Sequence, residues 1–364
     1  MKRALTTSLI TVALLSGCDA RSNPSAHATP QAPSAGSLVA AGAGEAVAGT
    51  TPESPAASAI GNDAANPTIE PGRFFNSNSP WNTAVAGLPV QSGSQALLAA
   101  ADGPQSGGTP GLFINTTSWT TPIVSTAGGV PTRVWCRQYA CGSDAASFQQ
   151  LDVPADASPD PRYDGLFTIV DLADREAYDL WRARRQSDGS ISYETVKIWA
   201  LDGLGYSAPS VGYASAQTSA RGSGLPLFAG LITQPELAAG LIAHALAIGV
   251  PAPANGNYVQ PASATDGTGP TWGLPEGARL VLRPGVRVST PQGANAAYVR
   301  TILTALSTYG AIVVERSSVP TLYAQASATQ LLGNELEKLT LADFQVIALP
   351  QRHSYGPAGG EVTP

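Results

Sequence analysis

The feature that most limits what this chain can fold into is a stretch with too little apolar surface to fold. From Asp19 to Pro71 the sequence is made mainly of Ala, Ser, Pro, Gly and Thr, with almost no large apolar side chain. Such a stretch cannot bury enough surface to offset the entropy of ordering its backbone. It reads as a disordered tether over 18–72. This confines the folded part to a β-rich domain at 73–350, followed by a flexible tail at 351–364. About 290 residues follow the tether, enough for one large domain or two small ones with a real core.

Ahead of the tether stand a basic start, Lys2-Arg3, an apolar run from Ala4 to Leu15, and then Leu15-Ser16-Gly17-Cys18. The run is shorter than the roughly 20 residues that a permanent span requires, and it has the anatomy of an export signal. Its LSGC ending resembles the bacterial lipoprotein signal. That resemblance implies removal of residues 1–17 and acylation of Cys18, so that the membrane becomes a partner through a lipid anchor and the domain works in the cell envelope, facing periplasm or exterior. By the sorting rule of such proteins, Asp19 would retain the anchor in the inner membrane.

Export bears on the other two cysteines. Cys136 and Cys141 lie close together in WCRQYACG. In an oxidising compartment such a pair is expected to form a disulfide, and no further ligands cluster nearby to suggest a metal instead. The formal net charge is −6 with a pI near 5.1, and only 13% of the residues are charged. A weakly acidic surface argues against nucleic acid as a partner and offers no basic patch to an anionic membrane. No HExxH, paired-histidine or Cys-His cluster occurs, so no metal is expected. No Gly-rich phosphate loop follows a strand, so no cofactor is expected either. A GxSxG elbow is also lacking. The chain is expected to act as a monomer.

Short β-branched or alternating segments recur between turn residues. They fall at 111–117, 121–126, 132–138, 165–171, 176–183, 191–200, 241–249, 279–283, 310–315 and 344–349. Asp188-Gly189 marks a hairpin between Trp181 and Tyr193. Three segments read as helix: 94–101, 234–239 and 294–309. The last carries the stripe Ala297, Val299, Ile302, Leu303, Leu306 and is stopped by Gly310. The pattern predicts a mainly β, single sandwich or jelly-roll-like domain with a few packed helices.

Three stretches carry candidate chemistry. Asp164, Asp171, Asp174, Glu176 and Asp179 crowd into sixteen residues, with Tyr178 among them and Tyr163 and Trp181 at their edges. Carboxylates beside aromatic rings suit a sugar, since rings stack on pyranose faces and carboxylates hold hydroxyls. Two carboxylates across a cleft can also cleave a glycosidic bond. Alternation along the strand from Glu176 would put Asp179 and Trp181 on one face; Asp171 and Asp174 also fit a plain turn. Next, His244 stands in an apolar run and reads either as a buried, satisfied histidine or as a general acid or base. Finally, Tyr258, Asp266 and Trp272 lie in a loop-rich stretch of ligand-rim composition, and Glu315, Arg316 and Tyr323 could line the same cleft.

Ser79-Pro80-Trp81-Asn82, the run from Asp164 to Trp181, and Gly224 to Leu246 together resemble a group of exported bacterial and fungal proteins that has no established activity. The segment Tyr258 to Gly267, Ala297 to Val313, and the stretch Leu339 to Val346 extend the likeness across nearly the whole folded part. Leu166 stands where that pattern has a histidine, and Ala243 where it has an aspartate. The resemblance implies one exported domain and carries no activity over.

Two classes of function fit these residues. One is an anchored enzyme that cleaves an extracellular or envelope polysaccharide. As a glycoside hydrolase it would use carboxylates among Asp164, Glu176, Asp179 and Asp266. As a polysaccharide lyase it would use His244 or Tyr258 as base. In either case Tyr178, Trp181, Tyr258, Asp266 and Trp272 would bind substrate. The other class is a non-catalytic carbohydrate-binding or structural lipoprotein. Cys18→Ala should release the exported protein into the soluble fraction. A variant that stays with membranes after a high-salt wash would refute the anchor.

Overall fold

A computed structural model describes residues 73–103, 111–142, 144–145, 150–159, 162–209, 219–288, 295–326, 328, 331–355 and 362–363. The expected signal, Cys18 and the tether lie outside them. In chain order the elements are α1 (Ser94–Asp102), β1 (Phe113–Asn115), β2 (Ile123–Ser125), β3 (Val130–Cys141), β4 (Gln150–Val153), β5 (Phe167–Asp171), β6 (Glu176–Trp181), β7 (Arg184–Arg185) and β8 (Ile191–Ala200). There follow α2 (Gln234–Ala239), β9 (Leu246–Val250), β10 (Asn257–Val259), β11 (Arg279–Leu282), α3 (Asn295–Thr308), β12 (Ala311–Arg316), β13 (Thr321–Tyr323), β14 (Phe344–Val346), β15 (Arg352–Tyr355) and β16 (Val362–Thr363). The fold is mainly β with a few helices, as the turn spacing predicts.

Two large sheets carry the architecture. The first is six-stranded and mixed, in the order β1-β13-β9-β12-β11-β14. Strands β9 and β12 run parallel at its centre, and β13 is antiparallel to β9. One face of this sheet packs Leu246, Ile248, Val313 and Leu280 against Leu98 of α1, Leu237 of α2 and Val299, Ile302 and Leu306 of α3. The stripe on α3 is therefore what fixes that helix to the sheet.

The second sheet runs β2-β5-β6-β8-β3-β4, with β7 paired to β8. It curls until strands from both ends share one interior: Val124 of β2 meets Leu151 and Val153 of β4 around Phe167, Ile169, Leu180 and Tyr193. The hairpin at Asp188-Gly189 forms as expected, with β7 antiparallel to β8. Cys136 and Cys141 are joined by a disulfide. The bridge spans the irregular part of β3 where its register against β8 shifts.

The remaining face of each sheet contributes to a third core, and the apolar segment Leu225–Ile232 fills the space between. Leu225, Phe228, Ala229 and Leu231 pack with Val170, Ala177 and Trp199 on one side and Ala247, Ile312, Val314 and Tyr323 on the other. Phe228 meets Phe74 edge-on at 4.7 Å and Phe75 at 5.4 Å. The Ser79-Pro80-Trp81-Asn82 motif fastens the start of the domain here. Ser79 Oγ donates to the Leu204 carbonyl, Trp81 Nε1 to the Gly205 carbonyl, and Asn82 Nδ2 to the carbonyls of Phe74 and Asn76.

Two expectations need correction. The strand expected from Leu241 starts at Leu246. Gly240 ends α2 in a left-handed cap, and the chain then turns so that His244 bonds back to Glu236 before the strand begins. The structure also continues past residue 350. Strand β15 pairs with β10, held by stacking of His353 on Tyr258 and by Arg352 donating to the carbonyls of Trp272 and Gly273.

Phe228→Ala should cost about 3–5 kcal/mol, the range for losing a fully buried aromatic ring. Urea unfolding of the variant against the parent measures this. A loss below about 1 kcal/mol would mean that this layer does not hold the two sheets together.

Candidate functional site

The sequence candidates separate on the structure. Strand β6 is buried on both faces. Tyr178 and Leu180 point into the curled sheet and Ala177 into the inter-sheet core, so the strand presents no cleft face of the kind expected. The Tyr178 hydroxyl donates to Glu176 Oε2 at 2.8 Å. Desolvation first, then this bond and the Glu176 charge, push that phenol up. Asp179 is almost fully buried and accepts three bonds: from Thr168 Oγ1 at 2.5 Å, Leu227 N at 2.7 Å and Trp199 Nε1 at 2.9 Å. Burial lifts its carboxyl to about 6, against the pull of these donors and of Arg221.

His244 is not joined to Asp179. Its Nε2 lies 2.8 Å from Glu236 Oε1 and its Nδ1 2.9 Å from the Ala245 carbonyl, all buried. Glu236 also accepts from Thr233 as the capping box of α2. Burial alone would lower the imidazole pKa, but the Glu236 charge and hydrogen bond outweigh it and the shift is upward. Tyr258 is fully buried against His353, whereas Trp272 is widely exposed.

What the structure does bring together is a carboxyl cluster at the ends of the parallel strands β9 and β12. Asp266, Glu276 and Glu315 feel one another's charge, with Asp164 close enough to act on Glu315. Asp164 and Asp266 were sequence candidates for catalysis and binding, and Glu315 and Tyr323 were expected to line the cleft. Glu276 and Arg221 were not, because Leu274-Pro275-Glu276-Gly277 and Ser219–Gly222 read as ordinary turns.

Each member of the cluster has a local cause. Strand β12 carries a bulge: Val313 faces Ile248 and Glu315 faces Gly249, leaving Val314 as the extra residue. Strict alternation would send Glu315, like Val313, to the helix-packed apolar face. The bulge re-aims it. Tyr323 on β13 and Glu315 on β12 flank β9 on either side, and between them β9 has Gly249. A Cβ at Gly249 would come within 2.5 Å of the Tyr323 hydroxyl. With no side chain there, the Tyr323 hydroxyl lies over the central strand, close enough to Glu315 for each to act on the other's acidity.

Asp266 rests on bare main chain as well. A Cβ at Gly222 would overlap its carboxyl group, and its Oδ1 accepts from the Arg316 amide at 3.1 Å. The turn that holds Gly222 is tied to β12 and to the Asp266 loop at once: Ser223 N donates to the Val314 carbonyl, and Ser263 N to the Ser223 carbonyl. Arg221, buried in the same turn, donates through Nη1 to the carbonyls of Pro226 and Ala229 and lies 5.5 Å over the Tyr323 ring.

Glu276 is fully buried, and neither of its oxygens meets a partner at full hydrogen-bond geometry; the Asp266 carboxyl and the Thr265 hydroxyl face them. Desolvation and the Asp266 charge push its pKa well up. Glu315 is lifted from 4.5 to about 7 by desolvation, with Arg221 opposing and Asp266 and Asp164 adding. Near neutral pH the site therefore holds protonated and ionised carboxyl groups together, the condition for general acid–base work. At its rim Tyr163, next to Asp164, packs against Trp119 at 5.2 Å, and Trp119 is about half exposed. Both Trp119 and Asp164 adopt left-handed backbone, with φ of 49° and 62°, a strain tolerated more often at functional loops than elsewhere.

Among the described residues, no group of three or more His, Cys, Asp or Glu is placed to hold a metal ion, and no helix is long and apolar enough to cross a membrane. No protein-family model, curated protein or solved structure matches the chain.

Because folding raises the pKa of Glu315 and Glu276, both carboxyls favour the folded state under acid conditions. For Glu315 that stabilisation is complete below about 4.5 and is lost as pH climbs through about 7; Glu276 acts in the same direction. Of the fall in stability between pH 5 and pH 8, Glu315 should supply about 2–3 kcal/mol, and Glu315→Gln should remove that share of the slope. Urea titrations at the two pH values measure it. An unchanged slope in the variant would contradict the geometry.

Proposed function

We propose that this protein is an exported, lipid-anchored glycoside hydrolase acting on an extracellular or envelope polysaccharide, with the Asp266–Glu276–Glu315 cluster as its active site. The observation that carries the reading is Glu315. It is partly open to solvent, stands beside Tyr323 and Asp266, and is lifted by desolvation to about 7. A general acid works best when its pKa lies near the working pH. Asp266, an exposed carboxylate beside it, supplies the opposing base. In the proposed reaction the Glu315 proton passes to the glycosidic oxygen as the bond to the anomeric carbon breaks. Water adds to that carbon, and its released proton goes to Asp266.

Glu276, buried behind Asp266, is a positioning residue: its held proton limits the negative charge of the cluster. Arg221 and Tyr323 orient Glu315 and weaken its hold on the proton. The exposed Trp119 and its neighbour Tyr163 offer a stacking surface to a sugar ring beside Asp164. Elimination is less well supported. The bases that the sequence offers for a lyase, His244 and Tyr258, are both buried and engaged, the first with Glu236 and the second with His353.

Incubation of the domain with a panel of polysaccharides should release reducing ends and no unsaturated uronates. Glu315→Gln and Asp266→Asn should each lower turnover by about two orders of magnitude or more, with His244→Ala affecting stability instead. Gly249→Ala should act like Glu315→Gln by displacing the Tyr323 hydroxyl. If the parent releases no product from any polymer but still binds one, the protein is a binding lipoprotein and the hydrolytic reading falls.

A further inference from the structure

The outer face of the curled sheet carries side chains that neither the core nor the carboxyl cluster uses. On β3, Val134 and Cys136 face the interior, so Arg133, Trp135 and Arg137 face out. On β8, Ile191 and Tyr193 face in and Ser192 and Glu194 face out. Arg184 of β7 lies opposite Ser192 and shares its face.

These residues form an ordered surface. Arg133 lies 5.1 Å over the Trp135 ring, and Arg182 lies 4.3 Å over the Trp181 ring. Trp135 Nε1 donates to Ser190 Oγ. Arg137 donates to Ser192 Oγ at 3.0 Å and to Glu194 Oε1 at 2.7 Å, while Arg182 donates to Glu194 Oε2 at 3.1 Å. Glu194 thus fixes two guanidiniums in place. Its pKa is held low by both, against the opposing effect of desolvation. Arg133 and Arg184 stand exposed on either side. Asp188, which lies near Arg133, and Asp152, exposed on the neighbouring β4 opposite Pro131, are the other acidic groups here. Four guanidiniums against three carboxylates leave a net positive, tryptophan-bearing face on a chain whose net charge is −6.

This face adjoins the candidate active site. The Arg182 amide donates to the Asp164 carbonyl at 2.8 Å, and the Ala183 amide to the Gly165 carbonyl. Guanidiniums pair with carboxylates in a fixed planar geometry, and indole rings stack on pyranose faces.

We propose that the Arg133–Trp135–Arg137–Arg182–Arg184 face binds a carboxylated, uronate-containing polysaccharide and leads it past Asp164 to the carboxyl cluster. The proposal takes its substrate class from the hydrolytic reading of the neighbouring site, but binding at this face does not depend on cleavage. The test therefore uses the Glu315→Gln protein, in which binding is read without turnover. Titration calorimetry with polygalacturonate and with alginate should show binding that weakens as salt is raised, and neutral dextran should bind at least about tenfold more weakly. Arg133→Ala/Arg184→Ala should weaken uronate binding about tenfold or more, and Trp135→Ala should weaken it as well, with near-UV circular dichroism unchanged. Equal binding of dextran, or uronate binding indifferent to the double variant, overturns the proposal. So does binding of phosphatidylglycerol vesicles, with the same arginine dependence, in place of both polyuronates. Loss of cleavage in Glu315→Gln with uronate binding retained leaves both readings standing. Uronate binding without cleavage by the parent removes the hydrolytic reading alone.

Discussion

Burying a carboxylate costs several kcal/mol unless donors surround it, and the joining of the two sheets depends on one that is so surrounded. Asp179 sits in the middle of β6 and accepts from Thr168 on β5, Trp199 on β8 and the Leu227 amide. The first two bonds tie neighbouring strands of the curled sheet. The third anchors the apolar segment that fills the space beneath the six-stranded sheet. Arg221, four residues ahead of that segment, is acted on chiefly by Glu315 and Tyr323 and least by Asp179, and it lies over the Tyr323 ring. A buried group on one sheet thus helps to position the groups that set the acidity of a carboxyl on the other.

The carboxyl cluster is held together against its own repulsion. Asp164, Asp266, Glu276 and Glu315 come from four separated parts of the chain. In water such groups would separate or each would ionise. Here the turn from Arg221 to Gly224 is hydrogen-bonded both to β12 and to the loop of Asp266. The repulsion is relieved by proton uptake instead of movement, so that acidity becomes a property of the backbone frame.

Much of the fold was legible because it rests on local signals. The helix at Asn295–Thr308 is announced by its apolar stripe and the Gly310 stop, and the hairpin at Asp188-Gly189 by its turn residues. The site was legible only in pieces. Asp164, Asp266, Glu315 and Tyr323 drew attention through residue type, but their meeting depends on a bulge at Val314 and on a glycine at 249, neither of which leaves a periodic trace. Asp179 and His244 were open to a structural or a catalytic reading from the sequence, and only their partners, Thr168, Trp199 and Leu227 for one and Glu236 for the other, show how the fold satisfies them. Glu276 gave no signal at all, because a glutamate beside proline and glycine is ordinary turn composition.

The crossing of β9 at Gly249 has a consequence for what could occupy the site. Where Glu315 and Tyr323 meet, the surface beneath them is main chain, fixed by pairing to β12 on one side and β13 on the other. A floor of that kind has no rotamers to exchange and no room to yield. It would discriminate among ligands by outline, accepting those whose contour already matches, and would gain little adaptability from changes in the surrounding loops.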